Sequence, residues 1–406
     1  MTDLVTRAQL VLLARTLHLP VERVAHLERL GPARLHELQE RVSARLFDQH
    51  APVFDRISAL VPVIPLAISL PIVQRLVPPA MTGRAAGAVG VRHRRKAVDA
   101  LLRLEVGYAA DCAPYLDPRT VGQLADDAPP APVVAILNEL LKRRDYITAG
   151  PFLAYATPEL VRAAEAGVPD DEGLIRSAAY AYSGEAVSAV VRQLLNGPGQ
   201  RVPQLLRTVV DGSKELRLAA LSVFARCAPD VVSAVGDILF QVCPPSAVAD
   251  LIVTFLGADA TAEMLRFAGQ LSPNALLKLG MNPVLAEIAG QLITTVDGSS
   301  DIALWRGVLE PLARTPAQVR RLAGNQLAGL ETSTLVMLPA IAQAGRLWAP
   351  LLWVLAATDV DVQAHIGELW ATTTRLDPDL LECRIADQRL ESLLATLTAT
   401  IRLLRS

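Results

Sequence analysis

Five times along this chain a capping residue followed by proline opens a run of apolar residues at helical spacing, and this phrase constrains the fold more than any other feature. It stands as Asp117-Pro118 before Val121 and Leu124, as Thr157-Pro158 before Leu160, Val161 and Ala164, and as Ser272-Pro273 before Leu276 and Leu279. It returns as Thr315-Pro316 before Val319 and Leu322, and as Asp377-Pro378 before Leu380 and Leu381. An oxygen-bearing side chain at the N-cap accepts a bond from an orphan backbone N–H, and proline at the next position has the helical φ built in and no donor to lose. Pro118 and Pro158 are 40 residues apart, Pro273 and Pro316 are 43 apart, and the next step, to Pro378, is 62. The first two intervals are the length of a unit of two or three helices, the range of HEAT-like arrays.

The composition agrees with helices. Hydrophobic residues make up 51% of the 406 but aromatics only 4%, so Leu, Ala and Val supply the apolar surface, and Leu and Ala lose little entropy in a helix. Val133, Ile136, Leu137, Leu140 and Leu141 share one helical face opposite Asn138, Glu139 and Lys142. In the first 50 residues Leu10, Leu13, Ala14 and Leu17 form a stripe, Val21, Val24 and Leu27 a second, and Leu35, Leu38, Val42 and Leu46 a third beyond Gly31-Pro32, which reads as a helical cap on the array. A chain of this length exceeds one ordinary core. The breaker cluster Asn196-Gly197-Pro198-Gly199 divides it into an N-terminal domain, 1–196, and a C-terminal domain, 200–406.

Mean hydropathy of +0.33 calls for a search for membrane spans. Ile57 to Gln74 is long enough, but Pro62, Pro65 and Pro71 interrupt it, so a buried broken helix is the favoured reading and an interfacial segment the alternative. Leu335 to Ala357 is broken by Gln343 and Arg346 and reads as core helices. Met1 to Leu10 carries Asp3 and Arg7 and has no apolar signal core, so a cytoplasmic location is expected. Cys112, Cys227, Cys243 and Cys383 lie far apart in apolar text and read as reduced core residues. The net charge of -2 provides no general attraction to nucleic acid, and no interleaved aromatics support base stacking.

The stretch Leu116 to Ala164, LDPRTVGQLADDAPPAPVVAILNELLKRRDYITAGPFLAYATPELVRAA, resembles the helical repeats of the magnesium-transporter MgtE N-terminal domain, whose superhelical fold is shared with parts of the flagellar motor switch protein FliG. The likeness rests on a Leu-x-Pro start, an acidic proline-bearing turn and an amphipathic helix, and it covers about one eighth of the chain strongly. The resemblance implies an all-α, right-handed superhelical array of helical hairpins, in one or two lobes, used as a docking surface. No five-helix membrane domain or CBS pattern accompanies it, so magnesium transport is not implied.

Chemistry-bearing motifs are sparse. His18, His26, His36 and His50 fall in the first 50 residues without zinc-site spacing. Arg92-His93-Arg94-Arg95-Lys96, with Arg84 and Arg103 nearby, is the sharpest basic cluster and the candidate for an anion or an acidic partner. Asp126-Asp127 and Asp170-Asp171-Glu172 invite comparison with the magnesium-diphosphate aspartates of terpene cyclases, but Asp126-Asp127 lacks the third acid of DDxxD; loop solvation and helix capping account for these acids better. Gly83, Gly87 and Gly90 point to close helix contact, and Trp348 and Trp353 flank Pro350 in apolar text. The leading expectation is a non-catalytic scaffold that binds a protein partner, with no cofactor. The alternative is a helical protein enclosing a lipophilic molecule, such as an isoprenoid- or polyketide-processing enzyme, with Mg2+ only in the isoprenoid case. Peripheral membrane contact through 57–74 with 92–96 is a further expectation, and an enclosed apolar cavity of several hundred Å3 with acids or Arg92 to Lys96 at its rim separates the readings.

Overall fold

The computed structural model describes residues 4–373 and 376–405, and helices make up 80% of it, with no strand among the described residues. It packs as two compact units, Met1–Val231 and Val232–Ser406. The breaker cluster read as a domain boundary lies inside the first unit, as the connection between the helices Gly184–Asn196 and Arg201–Asp211.

Four of the five capping phrases work as expected. Asp117, Thr157, Ser272 and Asp377 each accept a backbone N–H of the first turn that follows. Thr315 departs from the pattern: its hydroxyl donates backwards to the Leu312 carbonyl at 2.7 Å, and Pro316 alone stands before the helix Ala317–Ala328. Further caps come from Asp145, Asp170, Ser183, Ser213 and Asp301.

Within each unit, helices pack on the helix about two further along the chain. Val106–Cys112 lies on Pro130–Lys142, which lies on Pro158–Gly167, which lies on Gly184–Asn196; in the second unit Val284–Thr295 lies on Ala317–Ala328 and that on Trp348–Leu355. Side-chain bonds across these layers recur at similar sequence separations. Arg143 Nη1 donates to Asp111 over 32 residues, Ser272 Oγ to Asp237 over 35, Asn325 Nδ2 to Asp359 over 34 and Trp370 Nε1 to the Leu335 carbonyl over 35. Glycine marks the closest crossings. A Cβ on Gly307 would stand 2.0 Å from the Leu265 carbonyl oxygen, so Ile302–Leu312 meets Thr261–Ala268 backbone to backbone. In Pro79–Arg92 a Cβ on Gly83 would stand 2.5 Å from the Cys112 carbonyl oxygen and one on Gly87 2.0 Å from the Thr120 hydroxyl, which is the close helix contact anticipated for MTGRAAGAVG.

The N-terminal stripes pack together except at their ends, where Leu17 is exposed and Leu46 lies outside the cluster. Leu10, Leu13, Ala14, Val24 and Leu35 are buried together, with Val21, Leu27, Leu38 and Val42 packed against them. Each fully buried leucine there contributes roughly 1.5–3 kcal/mol. The third stripe opens at Gly31, whose φ of +73° suits glycine, into a helix of 30 residues, Gly31–Leu60.

Two expectations require correction. Ile57 to Gln74 is broken at Pro62 and Pro65, but it is exposed rather than buried: Leu60, Val63, Ile68 and Ile72 are 55%, 76%, 59% and 51% exposed. Pro71 sits inside the helix Leu66–Leu76, which has no buried residue. Cys112, Cys227 and Cys243 are buried thiols as read, whereas Cys383 is exposed. Trp348 is buried edge-on to Trp370, 6.3 Å between centroids, while Trp353 is partly exposed under the Arg320 guanidinium at 5.4 Å. No described helix is long and apolar enough to cross a membrane; only the bent pair Ala317–Ala328 and Thr332–Gly345, meeting at 119°, reaches the required length and hydropathy together. Leu335, Leu338, Ile341 and Ala342 of that pair are core residues.

Candidate functional site: an apolar cavity in the first unit

The helices from Pro79–Arg92 to Lys214–Phe224 line an apolar cavity of about 550 Å3 that is partly open to solvent. Its walls are aliphatic, with Leu124, Val133, Ile136, Leu137, Leu160 and Val190 among them. The amphipathic face recognised in Val133 to Leu141 explains the site's position. Leu140 and Leu141 are buried, while Val133, Ile136 and Leu137 are half-buried on the cavity wall. On the far side Val161, Ile175, Val187 and Val191 close the wall and are themselves buried.

Polar side chains on the wall are few, chiefly Lys96, Asp127, Glu165 and Arg201. Lys96 Nζ donates to the Val61 carbonyl, and His93 Nε2 lies 2.9 Å from Ser58 Oγ, which ties the basic helix Arg94–Leu101 to the end of Gly31–Leu60. Asp127 is exposed and takes Arg94 Nη1 at 3.0 Å. Arg201 is well held: its Nε donates to Asp171 at 2.7 Å and its Nη atoms to the Glu165 and Val168 carbonyls at 2.9 and 2.6 Å. Glu165 Oε1, pressed beneath Gly197 and Gly199, is buried without a hydrogen-bond partner among the described residues.

The basic candidates are therefore not gathered into one anion site. Lys96 lines the cavity, Arg94 pairs with Asp127 beside it, Arg92 pairs with Asp55 at 2.5 Å, Arg95 and Arg103 stand exposed, and Arg84 reaches His18 elsewhere. The acidic candidates are dispersed too. Asp126 is exposed on a 3-10 turn, Asp170 caps Asp171–Tyr180 through Gly173 N–H at 2.8 Å, Asp171 is buried against Arg201, and Glu172 holds Arg176 at 2.7 Å. Capping and pairing account for them, and among the described residues no group of three or more His, Cys, Asp or Glu is placed to hold a metal.

A second, smaller cleft of about 200 Å3 lies under the N-terminal cap. Phe47, Phe54, Tyr115, Tyr155 and Tyr182 line it in a chain with 4% aromatics, so it concentrates a scarce resource. His36 stacks on Tyr182 at 3.8 Å, its Nδ1 lies 3.1 Å from Gln9 Oε1, and Glu40 stands 3.5 Å from its Nε2. Burial holds the His36 imidazolium below its usual pKa, against the pull of Glu40. Burial, aided by Glu40 and Asp117, raises the Tyr155 phenol. Asp117 is engaged by Arg119, whose guanidinium covers Phe47 at 5.2 Å. The cleft lies between the N-terminal cap and the helices that follow it. Sequence reasoning did not join His36 to Tyr182, because the two meet only in the fold. The chain matches no known family model, and no curated protein is significantly similar to it.

Proposed function

We propose that the first unit binds a lipophilic, mainly aliphatic molecule in the cavity between Pro79–Arg92 and Lys214–Phe224, and that this is its primary task. The observation that carries the reading is the cavity itself: about 550 Å3, walled by Leu, Ile, Val and Ala, with Lys96 beside it. That volume lies within the range of about 300–1,000 Å3 of small-molecule sites. An aliphatic ligand bound there gains about 0.8 kcal/mol for each methylene it buries. The wall favours binding over catalysis, since Lys96, Asp127 and Arg201 are engaged by Val61, Arg94 and Asp171 respectively, and Asp126, Asp127, Asp170, Asp171 and Glu172 do not converge as a magnesium-diphosphate site would require.

The experiment is native mass spectrometry of the protein from its own cell, followed by uptake of a fluorescent long-chain fatty acid after delipidation. A retained aliphatic mass and saturable uptake are expected. A bare protein mass together with no uptake would refute the reading.

A second reading concerns architecture. The layer-to-layer packing and the bonds recurring 32–35 residues apart favour a superhelical array of the MgtE N-terminal kind in each unit. Such an array offers a protein partner an extended face. The cavity favours the small-molecule reading for the first unit, and the partner reading applies best to the second. Affinity capture by the second unit alone, with partners lost on substitution of its exposed face, tests it.

A further inference from the structure

Residues 53–81 form the most exposed apolar segment of the first unit. Val53, Ile57, Leu60, Val63, Ile64, Ile68, Ile72, Leu76 and Met81 are all large apolar residues facing solvent. The helix Leu66–Leu76 has an inverted character: Ile68, Ile72 and Leu76, four residues apart, make an outward stripe, 59%, 51% and 77% exposed, and no residue of this helix is buried. Patches of this kind on a protein surface mark contact with a partner or a membrane.

Charge decides between them. From Arg56 to Val98 the chain has no Asp or Glu and seven Arg or Lys: Arg56, Arg75, Arg84, Arg92, Arg94, Arg95 and Lys96. Arg84 turns away to His18, and Arg92 and Arg94 pair with Asp55 and Asp127. Arg56, Arg75 and Arg95 remain exposed, Arg75 on the same helix as the outward stripe. An apolar helix face accompanied by arginines and free of acids has the composition of an interfacial helix, which buries its apolar side at the headgroup boundary and draws its cations to anionic lipid. A protein partner would need an acidic rim around an apolar centre, whereas an anionic bilayer supplies both at once.

We propose that 53–81 docks the first unit on an anionic phospholipid bilayer, with Ile68, Ile72 and Leu76 inserted and Arg56, Arg75 and Arg95 on the headgroups. Val61 and Leu66, which bound the outward turn, also line the cavity, and Lys96 Nζ is bonded to the Val61 carbonyl. The docked face therefore adjoins the cavity wall, and the molecule taken up is a lipid of that bilayer. This last step rests on the cavity reading; the docking does not.

The test is co-sedimentation of the full chain with vesicles of phosphatidylcholine alone and of equal parts phosphatidylcholine and phosphatidylglycerol. Partition onto the anionic vesicles is expected, falling steeply with salt. Ile68→Ser with Ile72→Ser should lower it at least tenfold, and Arg75→Gln with Arg95→Gln roughly 25-fold, at about fivefold for each cation near an anionic surface. Because these side chains support no core, circular dichroism and thermal melting should stay as in the parent, which separates lost docking from lost folding. Equal binding to both vesicles, no binding to either, or a dimer in solution that Ile68→Ser with Ile72→Ser dissociates would overturn the proposal. Fatty-acid uptake measured without vesicles reports separately on the cavity: uptake without vesicle binding refutes docking alone, and vesicle binding without uptake refutes the cavity reading alone.

Discussion

Val133→Phe tests the cavity most directly, because the sign of its effect on stability depends on what the side chain faces. Val133 is half-buried on the cavity wall, in the helix Pro130–Lys142 whose next turns anchor through the buried Leu140 and Leu141. Phenylalanine adds four carbon atoms, and at about 0.8 kcal/mol per buried methylene the ceiling is about 3 kcal/mol. Loss of ring freedom and imperfect fit reduce this to about 1–2 kcal/mol of stabilisation. For a unit of 231 residues that is a rise of about 2–8 °C in melting temperature. Fatty-acid uptake should fall at the same time, since the ring takes space the ligand needs. Val24→Phe is the matched control: Val24 is 4% exposed in the packed N-terminal cluster, and the same enlargement there overpacks the core and costs about 1–3 kcal/mol. Differential scanning calorimetry of the delipidated proteins with titration of a fluorescent fatty acid measures both quantities. If Val133→Phe melts below the parent by as much as Val24→Phe does, the wall at Val133 is packed and the cavity argument fails.

Three further outcomes follow from the same geometry. Asp171→Ala strands the Arg201 guanidinium, both partners being largely buried; the two carbonyls still held by Arg201 keep the loss near the lower end of the usual range, about 3 kcal/mol, read from urea unfolding. The Cys112 thiol is pushed up to about 11, chiefly by burial and then by Asp111, so its thiolate fraction at mildly alkaline pH is roughly a hundredfold below that of an ordinary thiol. A maleimide should label the exposed Cys383 first and Cys112 only on unfolding, and rapid native labelling of Cys112 would contradict its placement. The folded His36 binds its proton below the ordinary value of 6.5, so the unfolded chain holds more protons there as pH falls, and stability drops from about pH 6.5 downward. His36→Phe, which keeps an aromatic ring against Tyr182, should flatten that part of the stability–pH curve.

The helices and their starts were legible in the sequence because capping and periodicity are local. Asp117, Thr157, Ser272 and Asp377 cap as their side chains require, and the stripes of the first 50 residues close on each other because each presents an apolar face. Thr315 does not cap because the helix starts one residue later, at Ala317 with Pro316 in the cap position, and the Thr315 hydroxyl instead donates back to the Leu312 carbonyl. The apolar face of Val133 to Leu141 was equally visible, yet a stripe specifies only that it avoids water. Whether it meets another helix or a cavity depends on the spacing of its neighbours.

What the sequence determined by itself was a chain of short capped helices, rich in Leu and Ala, with an acid-free basic stretch from Arg56 to Val98. The tertiary structure decided which way the faces point. Hydropathy sums side chains without direction, so it identified Ile57 to Gln74 as apolar and broken but could not place Ile68 and Ile72 in solvent. The acidic clusters were likewise visible as charge, while the partner of Asp171 was chosen by the fold, which brings Arg201 from 30 residues away. Glycine shows the division most plainly. Gly87 and Gly307 are small in any context, and only the helix that crosses each of them makes that smallness necessary.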